Sequence, residues 1–362
     1  MTREFYEAEP SPRTSWRLAV LMGANSRTYK FALASALLEF AAEGRAEVTV
    51  DELAVPYAMS LVARQQGAPQ APSGSLAGDK DFLAVARQEA AESLRSGLPT
   101  ERLLDATRRS MPTMVMRRFH NLGASEVAHR FYESVGPPRR GTVRLTPHLH
   151  RIAGSEQTAG LRGELNARWD IVESSFAAGI GRSLVDHGVA VARGPQRGSP
   201  HTPRRIGRRV VDHGVGVDGA TLRLTDKHRR RPVTGVADAL AGFQHGRCLI
   251  CRSPLTDADR IAVDHVFPYS LMRRFGTVSG WHGPDLDVIW NLAPAHEHCN
   301  GAKSARLPTS GELWRLARRN EAILLSPHPL KKTLQLALKG AGYHGRSGEW
   351  PDFLRQVLAA CD

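Results

Sequence analysis

With 362 residues, 41% of them hydrophobic and 23% charged, the chain is long enough for two domains, each burying its own core, and most of it is expected to be globular. The start, MTREFYEAEPSPR, is charged, and no stretch approaches ~20 uninterrupted apolar residues, so neither an export signal nor a membrane span is expected and a cytoplasmic home follows. Four cysteines are too few for a disulfide framework, and a formal net charge of +13 points to a polyanionic partner, the alternative being a GC-rich genome's preference for Arg.

Taken in chain order, the first half predicts helices. In NSRTYKFALASALLEFAAEG, Tyr29, Leu33, Leu37 and Phe40 share one helical face, and Gly44 is a stop. Further helices are expected in DELAVPYAMSLVARQQ, DKDFLAVARQEAAESLRSG, ASEVAHRFYES and GELNARWDIVESSFAAG, with GAPQAPSGSLAG a loop between the first two of these. The segment Arg193–Arg209 is rich in Pro, Gly and Arg and reads as an exposed linker. A short strand (ATLRLTD) and a helix (VADALAGFQ) follow, then a cysteine-containing block. The tail returns to helix in SGELWRLARRNEAILL, PLKKTLQLALKG and EWPDFLRQVLAA.

Basic charge is concentrated just ahead of that block. Between Val191 and Arg274 there are 16 Lys/Arg against 7 Asp/Glu, much of the excess in RRIGRR (Arg204, Arg205, Arg208, Arg209) and KHRRR (Arg229, Arg230, Arg231). These arginines are candidate DNA-phosphate contacts, the competing reading being a solvated basic loop.

The block itself runs from Cys248 to Ser304. Cys248-x2-Cys251 lies at one end and His296-x2-Cys299 at the other. Two short-spaced ligand pairs far apart in sequence can close a tetrahedral Zn²⁺ site with no open position, which makes the ion structural. His298 is a nearby rival for the third ligand, and burial as apolar residues is the alternative for the cysteines. Between the half-sites lies Asp264-His265, after the strand-like run Arg260–Val263. Asn291, Asn300 and Lys303 follow. The tripeptide VDH also occurs at 185–187 and 211–213, but those copies run into Gly and lack a Cys pair, a following Pro or a later Asn, so they read as coincidences.

This arrangement resembles the HNH endonuclease family over about sixty residues: C-x2-C, DHVFP, Asn291-Leu292, His296/Cys299, Asn300 and Lys303 stand in the family's order. Two positions depart from it, His296 where most zinc-bearing members have Cys, and Asn300 in place of a final His, as in the HNH domain of RNA-guided CRISPR nucleases. The Gly-Gly often found after the Pro is also missing. The resemblance implies a ββα unit with Asp264 and His265 on its first strand and Asn300 on its helix. It implies His265 as general base, Asp264 and Asn300 as ligands of a catalytic Mg²⁺ or Mn²⁺, Asn291 as a brace of the loop, and Lys303 with Arg306 on phosphate.

The expected fold is therefore mainly α with a small α+β part: a helical domain over 1–192, a basic linker over 193–232, a zinc-stapled nuclease domain over 233–308, and C-terminal helices over 309–362. A fainter likeness of YKFALASALLEF and SPHPLKKTL to bacterial HNH proteins, some of them in phage defence, adds other defence proteins to DNA as expected partners. Two other classes stay open, a zinc-stabilised nucleic-acid-binding module without catalysis and an RNA-cleaving toxin. Oligomeric state is not legible.

Overall fold

The computed structural model describes residues 10–22, 28–65, 82–122, 125–177, 215–218, 223–226, 232–274, 283–328 and 330–361. The arginines of RRIGRR and KHRRR, the two other VDH copies, Trp281 and the GAPQAPSGSLAG loop lie outside them. The fold is mainly helical with small sheets.

Helix α1 (Pro12–Arg17) opens where the Ser11 hydroxyl accepts from the Thr14 N–H, and runs into a π-helical turn, Leu18–Met22. Helix α2 (Tyr29–Ala42) carries the expected apolar face, but Ala32, Ala34 and Leu38 are buried as well, as befits a central helix covered on most sides. It ends before Gly44, whose φ of +76° suits glycine. Strand β1 (Glu47–Thr49) leads into α3 (Val50–Gln65). The next expected helix forms as two, α4 (Phe82–Gln88) and α5 (Ala90–Ser96), followed by α6 (Glu101–Met114), capped by Thr100.

The helix expected in ASEVAHRFYES does not form. That segment holds β3 (Ser125–Glu126), paired with β2 (Asn121–Leu122), and β4 (Tyr132–Val135), paired with β5 (Thr142–Leu145), which also pairs with β1. Val127 and Phe131 are both buried, so their i, i+4 spacing imitates a helical face. Pairing with the neighbouring strands on either side decides the matter instead, and aromatic Phe131-Tyr132 suits a half-buried strand.

Helices α7 (Pro147–Ala153) and α8 (Thr158–Ala177) complete this half. Then come an antiparallel sheet of β6 (Val215–Asp218), β7 (Arg223–Asp226) and β8 (Pro232–Gly235), and helix α9 (Val236–Gly242). The cysteine block forms β9 (Ile261–His265), α10 (Ser270–Arg274), β10 (Leu292–His296) and α11 (Glu297–Lys303). The tail forms α12 (Ser310–Leu325), α13 (Leu330–Gly340) and α14 (Trp350–Ala359).

One apolar cluster spans both halves, from Trp16, Phe31 and Trp169 to Phe243, Phe267, Trp290 and Trp350. Helix α8 packs on α9, and the buried Arg17 guanidinium grips Glu164 with two contacts of 2.9 Å. The Gln157 side-chain amide donates through Nε2 to the carbonyls of Gly246 (3.0 Å) and Leu255 (3.1 Å). The cysteine block is thus held by the helical half at its own backbone. No helix among the described residues is long and apolar enough to cross a membrane.

Candidate functional site

Residues 248–251 form a tight turn: the Cys248 N–H donates to the Ser253 carbonyl and the Arg252 N–H to the Cys248 carbonyl. Arg252 takes a φ of +71°, which closes the knuckle. The other half-site lies where β10 ends and α11 begins. One donor atom each from Cys248, Cys251, His296 and Cys299 falls within 4.8 Å of the others, a group that could hold a metal ion. His296 Nδ1 is the atom facing the thiols, 3.4 Å from Cys251 Sγ and 3.8 Å from Cys299 Sγ. Its Nε2 sits 3.1 Å from the Pro254 carbonyl, an acceptor that keeps the proton on Nε2 and leaves the Nδ1 lone pair for a ligand bond. His298 is exposed and merely stacks on the His296 ring, which settles the choice between the two.

Three thiols and one imidazole match a tetrahedral zinc set, whose sulfur–sulfur edges are about 3.8 Å for Zn–S bonds of about 2.3 Å. The electrostatics agree. Burial opposes ionisation of Cys251, yet hydrogen bonds from Ser253 and the neighbouring thiols bring it down to about 6. Burial and the adjacent sulfurs push Cys299 up to about 12. Thiols crowded this closely cannot all ionise unless a cation shares the site.

Strands β9 and β10 pair antiparallel, with Leu292 opposite His265 and His296 opposite Ile261, and α11 packs back against both. The hairpin therefore has the metal-ligand group at one end and Asp264-His265 at the other. Asp264 is buried. Its Oδ1 accepts from Lys303 Nζ at 2.9 Å, while Oδ2 is buried and meets no donor among the described residues. Burial raises the Asp264 pKa, against the pull of the Lys303 ammonium. Asn300 is half-buried on α11, one turn before Lys303 and so on the same helical side.

Lys303 departs from its expected place on phosphate. Its ammonium is fully buried and spent on Asp264 and on the His265 carbonyl, also at 2.9 Å. Arg306 forks onto Glu312 at 2.7 and 2.6 Å, and its side chain is 42% exposed. Asn291 is fully buried and is a brace: its Oδ1 accepts from the Phe267 N–H, and its Nδ2 donates to the carbonyls of Phe267 and Leu286. It ties the turn after His265 to the loop that leads back into β10.

Two groups of contributors had no strong sequence signal. Asp287 accepts or shares a hydrogen with His265 Nε2 at 3.0 Å; in PDLDVIW it looks like any loop acid. The other group is on α12. Arg315 donates to the carbonyls of Leu249 and Ile250 in the knuckle, and the buried Arg319 donates to those of Ile289, Trp290 and Leu292. Desolvation draws Arg319 down to about 9, so its charge is tolerated only because carbonyl oxygens surround it. Arg319→Ala takes this donor from the Leu292 carbonyl and from the buried Asn320 Oδ1 and is expected to cost more than about 2 kcal/mol, read as a lowered midpoint in thermal or urea unfolding. An unchanged midpoint would mean water replaces the guanidinium without penalty.

No family model, curated protein or solved structure matches the chain.

Proposed function

We propose that the chain is a metal-dependent endonuclease of the HNH type, hydrolysing phosphodiester bonds in DNA, with a structural zinc in the Cys248/Cys251/His296/Cys299 group. One observation carries the reading. A hairpin stapled at one end by four metal-type donors presents, at its other end, a half-buried imidazole next in sequence to a carboxylate whose buried Oδ2 meets no donor among the described residues. A buried carboxylate oxygen without a donor is costly in a folded protein, and a divalent cation relieves the cost.

Asp264 Oδ2 and the Asn300 amide oxygen would hold Mg²⁺ or Mn²⁺, hard oxygen donors few enough to leave room for phosphate. When bound, the cation supplies positive charge for the attacked phosphate and the departing 3′-oxygen. The remaining work falls to the chain. His265 takes the proton from the attacking water. With Nε2 turned to Asp287, its Nδ1 is the free base position, and the Asp287 carboxylate balances the charge the ring acquires. Lys303 fixes the Asp264 carboxylate in one orientation, and Asn291 holds the loop around the ring.

Asp287→Asn is expected to lower kcat roughly 10- to 100-fold with KM and the unfolding midpoint unchanged, because it disturbs only the tautomer and aim of the base. A parallel rise in KM would assign Asp287 to substrate binding instead.

A second reading, a zinc-stabilised binding module without catalysis, draws on the Lys303–Asp264 ion pair, which already compensates the carboxylate. Supercoiled plasmid and total RNA incubated with the protein, with and without added Mg²⁺, separate the readings. The nuclease is expected to need Mg²⁺ and to act on DNA. Because one Asp-His site addresses one phosphodiester at a time, open circles should precede linear product; no cleavage of either substrate would leave the binding module.

A further inference from the structure

Two clefts meet on the face that carries the zinc knuckle. One, of about 610 Å³, lies between the start of α1, the α7–α8 connection and the knuckle, and its walls include Arg13, Arg151 and Arg247. The other, of about 280 Å³, lies between the knuckle and α12, and is lined by Arg247, Arg252, Arg318 and Trp314. They share His245 and Arg247, so they form one trench, and no Asp or Glu lines either cleft. Like charges crowd there. The Arg13 pKa is lowered by desolvation and by the neighbouring Arg17 and Arg247. Trp314 is 59% exposed, unusual for an indole in a chain whose Trp16, Trp169, Trp290 and Trp350 are all buried. Arg318 covers one side of that indole, with its guanidinium carbon 4.8 Å from the ring centre.

We infer that this trench holds a single-stranded stretch of nucleic acid, its phosphates along Arg13, Arg151, Arg247 and Arg252 and one base on the open face of Trp314. Arginines lining a trench whose walls carry no carboxylate retain a polyanion, and an exposed indole backed by a guanidinium is a platform for a π-face. A paired duplex keeps its base faces stacked inside and cannot offer one to Trp314, so the indole selects an unpaired strand over phosphate charge alone. The link to cleavage rests on the nuclease reading; the binding surface stands on the arginines and the indole themselves.

The test uses the full chain carrying His265→Ala, so that no strand is cut, titrated with a twelve-residue oligothymidylate, with the same length of duplex, and with inorganic polyphosphate. The oligothymidylate should quench tryptophan fluorescence, and Trp314→Phe should remove that quenching while the unfolding midpoint holds. Combining Arg151→Gln and Arg252→Gln should flatten the slope of log affinity against log salt by roughly 1.4, about 0.7 for each lost contact. Quenching that survives Trp314→Phe, an unchanged slope, or equal affinity for polyphosphate would each overturn the inference. Loss of binding in these variants alongside a wild-type chain that never cleaves DNA would sink the nuclease reading and leave the trench standing.

Discussion

His265→Ala is expected to reduce plasmid cleavage by about 10²- to 10⁴-fold while the fold and DNA affinity persist. That is the range a positioned general base contributes. The substitution is clean for structural reasons. The imidazole is half-buried, and its side-chain neighbours are the Asp287 carboxylate and the Tyr269 ring, 5.5 Å away between centres. The backbone carbonyl that receives Lys303 stays in place in the variant. Initial rates with supercoiled plasmid, beside a gel-shift affinity and a melting curve, give the three readouts together. His187→Ala and His213→Ala serve as controls and should keep full activity. A dead but folded control variant would end the one-site reading.

Asp264 needs a different substitution. Asp264→Ala would leave the Lys303 ammonium, fully buried, without its counter-charge, and breaking such a pair from one side costs about 3–5 kcal/mol. Lost activity in that variant would therefore say nothing about a catalytic cation. Asp264→Asn keeps an acceptor for Lys303, though not its counter-charge, and removes the charge a cation would seek, so its activity against Mg²⁺ concentration is informative when read beside an unchanged unfolding midpoint.

The cysteine block was largely legible because metal-type donors come in short local spacings, and spacing survives in a linear string. The two half-sites were readable that way, whereas Asp264, His265 and Asn291 stood out only through the family resemblance that their order carries. Asp287 was not legible, since its relation to His265 depends on a hairpin closing across 22 positions. The three arginines of WRLARR met three fates that no pattern separates: Arg315 on knuckle carbonyls, Arg318 over Trp314, Arg319 buried under the loop before β10. Lys303 shows the same limit in reverse. A basic residue beside a candidate phosphate site reads as a contact, and only packing reveals an ammonium turned inward. The tail helices were read almost to the residue because their apolar stripes are strong, whereas ASEVAHRFYES was misread because its backbone pairs as strands with Asn121–Leu122 and Thr142–Leu145.

Removing the metal is expected to be the most damaging change to the block. Purified protein should carry about one zinc per chain, and Cys248→Ala should lose it with a fall in melting temperature of at least about 10 °C. Zinc bound to such donor sets is worth about 10–16 kcal/mol in isolated fingers, which rivals the whole stability of a typical domain. Little else could replace it here. Around the donors the apolar cluster is small, with Cys248, Leu255 and Ala295 buried and Ala241, Ile250 and Cys299 packed against them. The surrounding hydrogen bonds would soften the loss without cancelling it. Arg315 still grips the Leu249 and Ile250 carbonyls, and Gln157 still grips those of Gly246 and Leu255. Damage should therefore concentrate in residues 245–300, with the helical half kept. Hydrogen exchange on the chelated protein would display that division as rapid exchange across β9 and β10 beside protected amides in α2 and α8. A zinc-free preparation with native protection in the hairpin and full plasmid cleavage would show that the four donors hold the fold without an ion.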